Sequence, residues 1–476
     1  MSKITRKNEN AQASKRRPKV KENQQFVTLP VVHPNAAAID IGDRMHAVAV
    51  GPGVDPIPVR EFGTFTCDLR AIISWLKQCK VTTVAMESTG VYWKPIYAML
   101  IQHDFDVWLV NSKQTKTVTG KKEDMSDAAW MQRLHTAAIF TRSFLPDDLT
   151  ESLRTVVRQR RALIEDANRC VQRIQKNLEL MNIKIHTVIN DIMGKTGTAI
   201  LEAIINGERE PEKFLPFVDR RIKASKEDIL KSLEGNWRRE CLFLIEQCYT
   251  QYIQLQQHMS ACDKEVESVL EQMIASQNEG IIETQSERQD SPALIQAGKG
   301  KQRKRKSKNT PVFNVRKCLH QIHGVDMLDV YGISEISALE IFSETGRDLG
   351  KWPTANHFVS WLNLCPNNKF TGGKLISSKV MKKHPNNASQ AFRAAANGLQ
   401  RSDNWLGDYF RKMRSKGGNK HAIVCTARKL AIIYYTMERN KVPFMPVNMD
   451  EYKEKQRKQQ IATLEKKLAK LTNQAA

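Results

Sequence analysis

Val81-Thr82-Thr83-Val84-Ala85-Met86-Glu87-Ser88-Thr89-Gly90 is the stretch from which the rest of the chain can be read. It opens on a short run of apolar and β-branched residues, which predicts a buried strand ending on Glu87. Ser88 or Thr89 then supplies an N-cap for a helix over Val91 to Gln102. A second apolar run, Val107-Trp108-Leu109-Val110, ends on Asn111. Strand, helix and strand in this order predict an α/β unit, and parallel sheets place their sites beyond the carboxyl ends of their strands. Upstream, Ala36 to Gly42, Met45 to Val50 and Val59 to Phe65 read as three earlier strands. Asp68 to Lys80 reads as an amphipathic helix, with Leu69, Ile72, Ile73 and Leu76 at helical spacing. The expected fold of this region is therefore α/β with a mixed sheet.

Four carboxylates stand out against that frame. Asp40 lies inside the first strand, between Ile39 and Ile41, where an acid is costly unless it binds something; the alternative is a structural, hydrogen-bonded aspartate. Glu87 ends the central strand. Asp124 and Asp127 are three residues apart and share one face of a helix. Asp40, Glu87, Asp124 and Asp127 can thus converge at one end of a sheet. Hard oxygen ligands suit Mg²⁺ or Mn²⁺, and two such ions activate an attacking oxygen and stabilise a leaving one in phosphodiester chemistry. The loop before the aspartates is basic, with Lys113, Lys116, Lys121 and Lys122 as candidate nucleic-acid contacts.

The whole chain agrees with a nucleic-acid partner. Its 476 residues predict two to four domains. Lys plus Arg number 74 and Asp plus Glu 51, a formal charge of +23 that points to a polyanion. No apolar run approaches the roughly 20 residues of a membrane span, and the first residues lack the apolar core of a signal peptide. Nine scattered cysteines without a CxxC argue against a zinc ribbon or disulfide framework and for a reducing cytoplasm.

In order, residues 1–34 read as a basic disordered arm containing Lys15-Arg16-Arg17-Pro18-Lys19, and 35–148 as the catalytic α/β domain. Residues 149–278 read as helical. Glu151 to Met181 carries two heptad rows, Val157, Ile164, Val171, Leu178 and Leu153, Arg160, Ala167, Ile174, Met181, which predict a coiled-coil dimerisation element or a long bundle helix. Asp191 to Gly197 is rich in glycine but lacks P-loop spacing. Residues 279–311 read as a disordered basic insertion ending in the run Lys299 to Lys308.

Residues 312–446 form a further compact domain. In it, Val330 to Ile341 reads as a turn followed by a helix N-terminus, suited to phosphate or forming a plain helical hairpin. Thr371-Gly372-Gly373-Lys374, beside Lys369, offers two readings. Either the hydroxyl attacks a phosphodiester, or Thr371 only closes a hairpin turn; the residues by themselves favour the turn. Helices are expected over Ala388 to Leu399, Trp405 to Ser415 and Lys420 to Arg439; Arg393, in the basic set they carry, is a candidate nucleic-acid contact together with Lys369 and Lys374. The tail, 447–476, is helical and charged, with Ile461, Leu464, Leu468 and Leu471 at coiled-coil spacing.

These motifs resemble the DEDD transposases of the IS-one-ten and IS-eleven-eleven insertion-sequence group, over roughly residues 35 to 444. Ala38-Ile39-Asp40-Ile41-Gly42 with His46 resembles the first strand of that family, and Met86-Glu87-Ser88-Thr89-Gly90-Val91-Tyr92 its second motif. Lys122-Glu123-Asp124-Met125-Ser126-Asp127-Ala128 is similar to its paired-aspartate motif. Trp361-Leu362-Asn363-Leu364-Cys365-Pro366 with Thr371-Gly372-Gly373-Lys374 resembles its C-terminal motif. The resemblance implies a RuvC-like, RNase H-type domain holding Mg²⁺ through Asp40, Glu87, Asp124 and Asp127, a coiled-coil linker, and a C-terminal transposase domain with a serine nucleophile. It implies recombination of DNA through a covalent protein–DNA link, guidance by a structured RNA, assembly as homodimers or homotetramers, and a bacterial cytoplasmic, nucleoid-associated setting. Thr371 stands where the family usually has serine. The competing readings are a RuvC-like nuclease that cuts without rejoining, and a nucleic-acid-binding protein with an inactive nucleophile.

Overall fold

The computed structural model describes residues 29–88, 90–111, 126–282, 308–380 and 386–475. The basic arm before 29, Lys113, Lys116, Lys121, Lys122, Asp124 and most of the basic insertion lie outside them. The chain divides into two compact units, Met1–Leu145 and Pro146–Ala476.

The first unit runs β1 (Ala36–Ile41), β2 (Met45–Ala49), β3 (Val59–Gly63), α1 (Thr66–Gln78), β4 (Thr83–Glu87), α2 (Trp93–Gln102), β5 (Asp106–Val110) and α3 (Asp127–Thr136). Among the described residues the sheet has the order β3-β2-β1-β4-β5. β2 is antiparallel to β1 and β3, whereas β1, β4 and β5 are parallel. The parallel strands are covered on both faces, which is why they read as nearly continuous apolar runs. Ala37, Ile39, Val84, Met86, Val107 and Leu109 pack with Ile72, Ile73 and Leu76 of α1 and Ile96 and Leu100 of α2. On the opposite face Ala38, Ala85 and Val110 pack with Trp130, Met131 and Leu134 of α3.

Two helix starts differ from expectation. α1 begins two residues early, at Thr66, because the Asp68 carboxylate accepts a hydrogen bond from the Phe65 N–H at 3.1 Å. α2 begins late, at Trp93, with no side-chain cap. The Ser88 N–H and hydroxyl both donate to the Val110 carbonyl, at 3.2 and 3.4 Å, prolonging the β4–β5 ladder. Gly90 then turns the chain at φ 58 before any helix forms.

The second unit opens on α4 (Asp148–Leu180), α5 (Ile185–Val188), α6 (Lys195–Ile205), α7 (Lys226–Leu233) and α8 (Arg239–Ile282). Asp147 caps α4 by accepting from the Thr150 N–H at 2.9 Å. α4 and α8 pack side by side. Arg160 meets Asp263 at 2.5 Å and Cys170 meets Gln251 at 3.4 Å, so the two helices run antiparallel. Leu153, Arg160, Ala167, Ile174 and Met181, one complete heptad row, are buried. Ile164 and Val171 of the other row are partly buried against the core shared with α6, α7 and α8. The seam read as a dimerisation element is filled within the chain by α8. Arg160, which looked misplaced in an apolar row, is matched by Asp263 from α8 and also donates to the Asn309 carbonyl at 2.9 Å.

The rest of this unit contains α9 (Val315–His323), α10 (Glu335–Thr345), α11 (Ala355–Trp361), β6 (Pro366–Thr371), β7 (Lys374–Val380), α12 (Asn387–Gly398), α13 (Trp405–Asn440) and α14 (Met449–Ala475). Arg158 of α4 grips Glu344 of α10 with two hydrogen bonds, 2.8 and 2.9 Å, fastening this part to the helical pair. The start of α10, expected to suit phosphate, is capped by its own side chains: Ser334 Oγ accepts from the Ser337 N–H and Ser337 Oγ from the Ser334 N–H. α13 is broken at Gly417 and Gly418, the latter at φ 78, which separates the two helices that the sequence predicts there. Among the described residues no helix is long and apolar enough to cross a membrane.

Candidate active site

Register and alternation place the acids. β1 and β4 pair Ala38 with Ala85 and Ile39 with Met86. Asp40 and Glu87 are each the next residue, so they stand side by side at the carboxyl ends of neighbouring parallel strands. Side chains alternate between faces along a strand. Asp40 therefore shares the face of Ala38, and Glu87 that of Ala85, which is the face covered by α3. Both acids are half-buried.

The direction of α3 brings in Asp127. Near its C-terminal end, Gln132 Nε2 donates to the Ala36 carbonyl at 3.1 Å, and the Thr136 carbonyl accepts from the Val32 and His33 N–H groups. His135 Nε2 lies 2.9 Å from Thr83 Oγ1 at the start of β4. The C-terminus of α3 therefore sits at the beginning of β1 and β4, and the helix runs back along them. Nine residues of helix and four of strand both cover about 13 Å, so Asp127 starts α3 at the same end of the sheet as Asp40 and Glu87. Ser126 caps the helix by accepting from the Ala129 N–H at 3.2 Å. An acid in the first helical turn also stabilises the helix through its dipole, so Asp127 has a structural use beside any catalytic one.

The helix face expected to carry both aspartates does not reach back to Asp124, because α3 begins only at Asp127, after the extended cap residue Ser126; Asp124 itself lies outside the described residues. Among the described residues no group of three or more His, Cys, Asp or Glu side chains is close enough to hold a metal ion. The donor set nevertheless fits a hard cation. Its oxygens are all carboxylate, two of them half-buried on adjacent strands. On the opposite face of the sheet, paired with Ile41, His46 is 2% exposed and its Nδ1 has no hydrogen-bond partner. Burial lowers its pKa, against the opposing pull of the Asp40 carboxylate.

At the other candidate residue the turn reading describes the local geometry. Thr371 pairs with Lys374 across β6 and β7, and the two residues between them, Gly372 and Gly373, have φ of 54 and 75. Two successive positive φ values make the hairpin turn whose twist matches paired strands, and glycine adopts them at least cost. A Cβ on either glycine meets nothing within 4 Å, so the demand for glycine here is conformational rather than steric. Thr371, Lys369 and Lys374 are exposed. Two further hydroxyls follow on β7: Ser378 donates to Asn368 Oδ1 at 2.7 Å, and Ser377 pairs with Lys369 in the ladder and is half-buried.

Two arginines hold the chain entering the hairpin. Arg393, expected on the nucleic-acid surface, donates to the Asn363 carbonyl at 3.2 Å. Arg428 donates to Cys365 Sγ at 3.0 Å and to Asn356 Oδ1 at 3.1 Å. Nothing in the local sequence marks Arg428, because its partners lie 63 and 72 residues away.

Residues 37–183 match the family model described as DEDD transposase of IS110, and residues 326–411 match the model described as the IS116/IS110/IS902 transposase family. No curated protein sequence matches the chain. With a carboxylate-edged α/β sheet in the first unit and a largely helical second unit, the chain is a DNA transposase. It belongs to the IS110 family of insertion-sequence transposases.

Proposed function

We propose that the chain cuts and rejoins DNA strands through a covalent threonyl–DNA intermediate, with Mg²⁺ or Mn²⁺ held by Asp40, Glu87, Asp124 and Asp127 in a RuvC-like domain. The observation that carries this reading is the placement of Asp40 and Glu87 side by side at parallel strand ends, on the face covered by the helix that Asp127 begins. A divalent ion held there supplies positive charge to phosphate oxygens and to the leaving oxygen. The Thr371 hydroxyl attacks phosphorus and loses its proton; the bond from phosphorus to the departing sugar oxygen breaks, and that oxygen takes up a proton. Attack by a sugar hydroxyl on the threonyl phosphate then reverses the step, so that phosphodiester bonds are conserved. The glycines after Thr371 keep space beside the hydroxyl open. The later serines lack such neighbours, and Ser378 is already engaged by Asn368.

The exposed lysines Lys369 and Lys374, together with Lys113, Lys116, Lys121, Lys122 and Arg393, are proposed to contact nucleic acid. The +23 charge supports a polyanionic partner, DNA or RNA; that a structured guide RNA is among the partners is what the family resemblance implies. Homodimers or homotetramers are the proposed working form.

Trapping tests the central step. Thr371→Val matches the side chain in shape but lacks the hydroxyl, and it is expected to abolish the covalent adduct, while Thr371→Ser keeps or raises it. Mass spectrometry that finds phosphate on Ser377 or Ser378 moves the role to another residue. Full cleavage by Thr371→Val with no adduct favours a nuclease that does not rejoin.

A further inference from the structure

The β6–β7 hairpin carries an apolar surface that the described residues of its own unit do not cover. Phe370, Leu375 and Ile376 are 62%, 53% and 66% exposed. Among the described residues no third strand joins β6 and β7. The register explains the cluster. Phe370 pairs with Leu375 and Lys369 with Ser377, so a bulge sets two residues, Leu375 and Ile376, opposite one. Three large apolar side chains are thereby gathered near the tip, next to the glycine turn. A lone two-stranded ribbon is marginally stable, and an exposed apolar patch on one marks an interaction site.

The charge of the same ribbon selects the partner. From Pro366 to Val380 there is no acidic residue, and Lys369, Lys374 and Lys379 supply the charge. Lys369 and Lys374 flank the apolar cluster in sequence and are exposed. A protein surface that accepts Phe, Leu and Ile needs no ring of cations. Duplex DNA needs both: cations against its backbone, and an apolar side chain wherever a base step is opened.

We infer that the hairpin is a DNA-deforming wedge: Lys369 and Lys374 seat it on the phosphates while Phe370 and Ile376 enter between base pairs and unstack one step. The inference rests on the chain acting on DNA and does not require Thr371 to be the nucleophile. Failure of the covalent reading shows in adduct formation, whereas failure of the wedge shows in affinity and base stacking.

The test uses the full-length protein and a linear mixed-sequence DNA duplex with 2-aminopurine placed at pyrimidine–purine steps, which open most easily. Wild-type protein is expected to raise the 2-aminopurine fluorescence. Phe370→Ser with Ile376→Ser is expected to abolish that rise and weaken binding about tenfold, within the range that base–aromatic contact is worth, with the salt dependence unchanged. Phe370→Leu, which keeps an apolar wedge and reports that the hairpin still forms, is expected to retain most of the signal. Lys369→Gln with Lys374→Gln is expected to flatten the slope of log affinity against log salt by about two. The wedge is overturned if the serine variant binds and unstacks DNA as wild type does. It is equally overturned if that variant loses only affinity for a structured RNA, or only self-association by light scattering, while DNA binding stays intact.

Discussion

His135 shows how one buried residue ties stability to pH. Thr83 Oγ1 has a single hydrogen and donates it to the Asp106 carbonyl at 2.9 Å, so His135 Nε2 must be the donor in its own 2.9 Å contact with Thr83. Nδ1 is then bare, buried and without a partner, which requires the neutral ring. Burial, helped by neighbouring His33, pushes the His135 pKa from 6.5 down to about 4. The unfolded chain binds the proton between these values and the folded chain does not. The stabilising contribution is therefore full above the unfolded value and is lost as pH falls through the window towards the folded one. Wild type is expected to lose about 2 kcal/mol from this group between pH 7 and pH 5, measured by urea unfolding. His135→Gln, which keeps a donor to Thr83 but cannot titrate, should flatten that dependence. None of this is legible in the sequence, where His135 is one more polar residue on a helix; its meaning comes from Thr83, 52 positions earlier.

Elements were easier to read than their partners. β-branched runs and helical spacing predict strands and helices because those periods follow from backbone geometry alone. The heptads of α4 were visible for that reason. They say that an apolar helix lies alongside, not which chain supplies it, and α8 turned out to be that helix. Asp40 was conspicuous because an acid in a strand is costly, whereas the shared face of Asp40 and Glu87 needs the register, which no local pattern encodes. The Arg160–Asp263 pair tests the helical pair directly. Both side chains are nearly fully buried, so Asp263→Ala strands a guanidinium and is expected to cost about 3–5 kcal/mol. Replacing both, as Arg160→Met with Asp263→Leu, is expected to recover most of that loss in the same denaturation experiment.

At the scale of the whole molecule, charge and carboxylates give separable expectations. With a net +23, affinity for DNA or RNA should fall steeply as salt rises, because bound cations release condensed counterions. Deleting residues 299–308 is expected to weaken binding and flatten the salt slope while strand cleavage survives; an unchanged slope makes that run a linker. The carboxylates of the first unit repel one another without a cation, so Mg²⁺ should raise its melting temperature by mass action on the folded form. Asp40→Ala or Glu87→Ala should remove that rise together with recombination. Recombination that proceeds fully in chelator rules out the metal reading.

The antiparallel pair of α4 and α8 converts chain length into distance. From Arg158, which grips Glu344, to Leu178, in the core built by α6 and α7, α4 advances 20 residues, a rigid spacer of about 30 Å. Its gauge has discrete settings. Removing one heptad from each arm shortens the strut by about 10 Å and leaves the buried rows nearly in phase, whereas removing a single residue turns one end by about 100° and takes Arg160 away from Asp263. Fluorophores on α7 and α10 should report the shorter span in the first case and lost folding in the second. The chain can thus be resized in steps of seven.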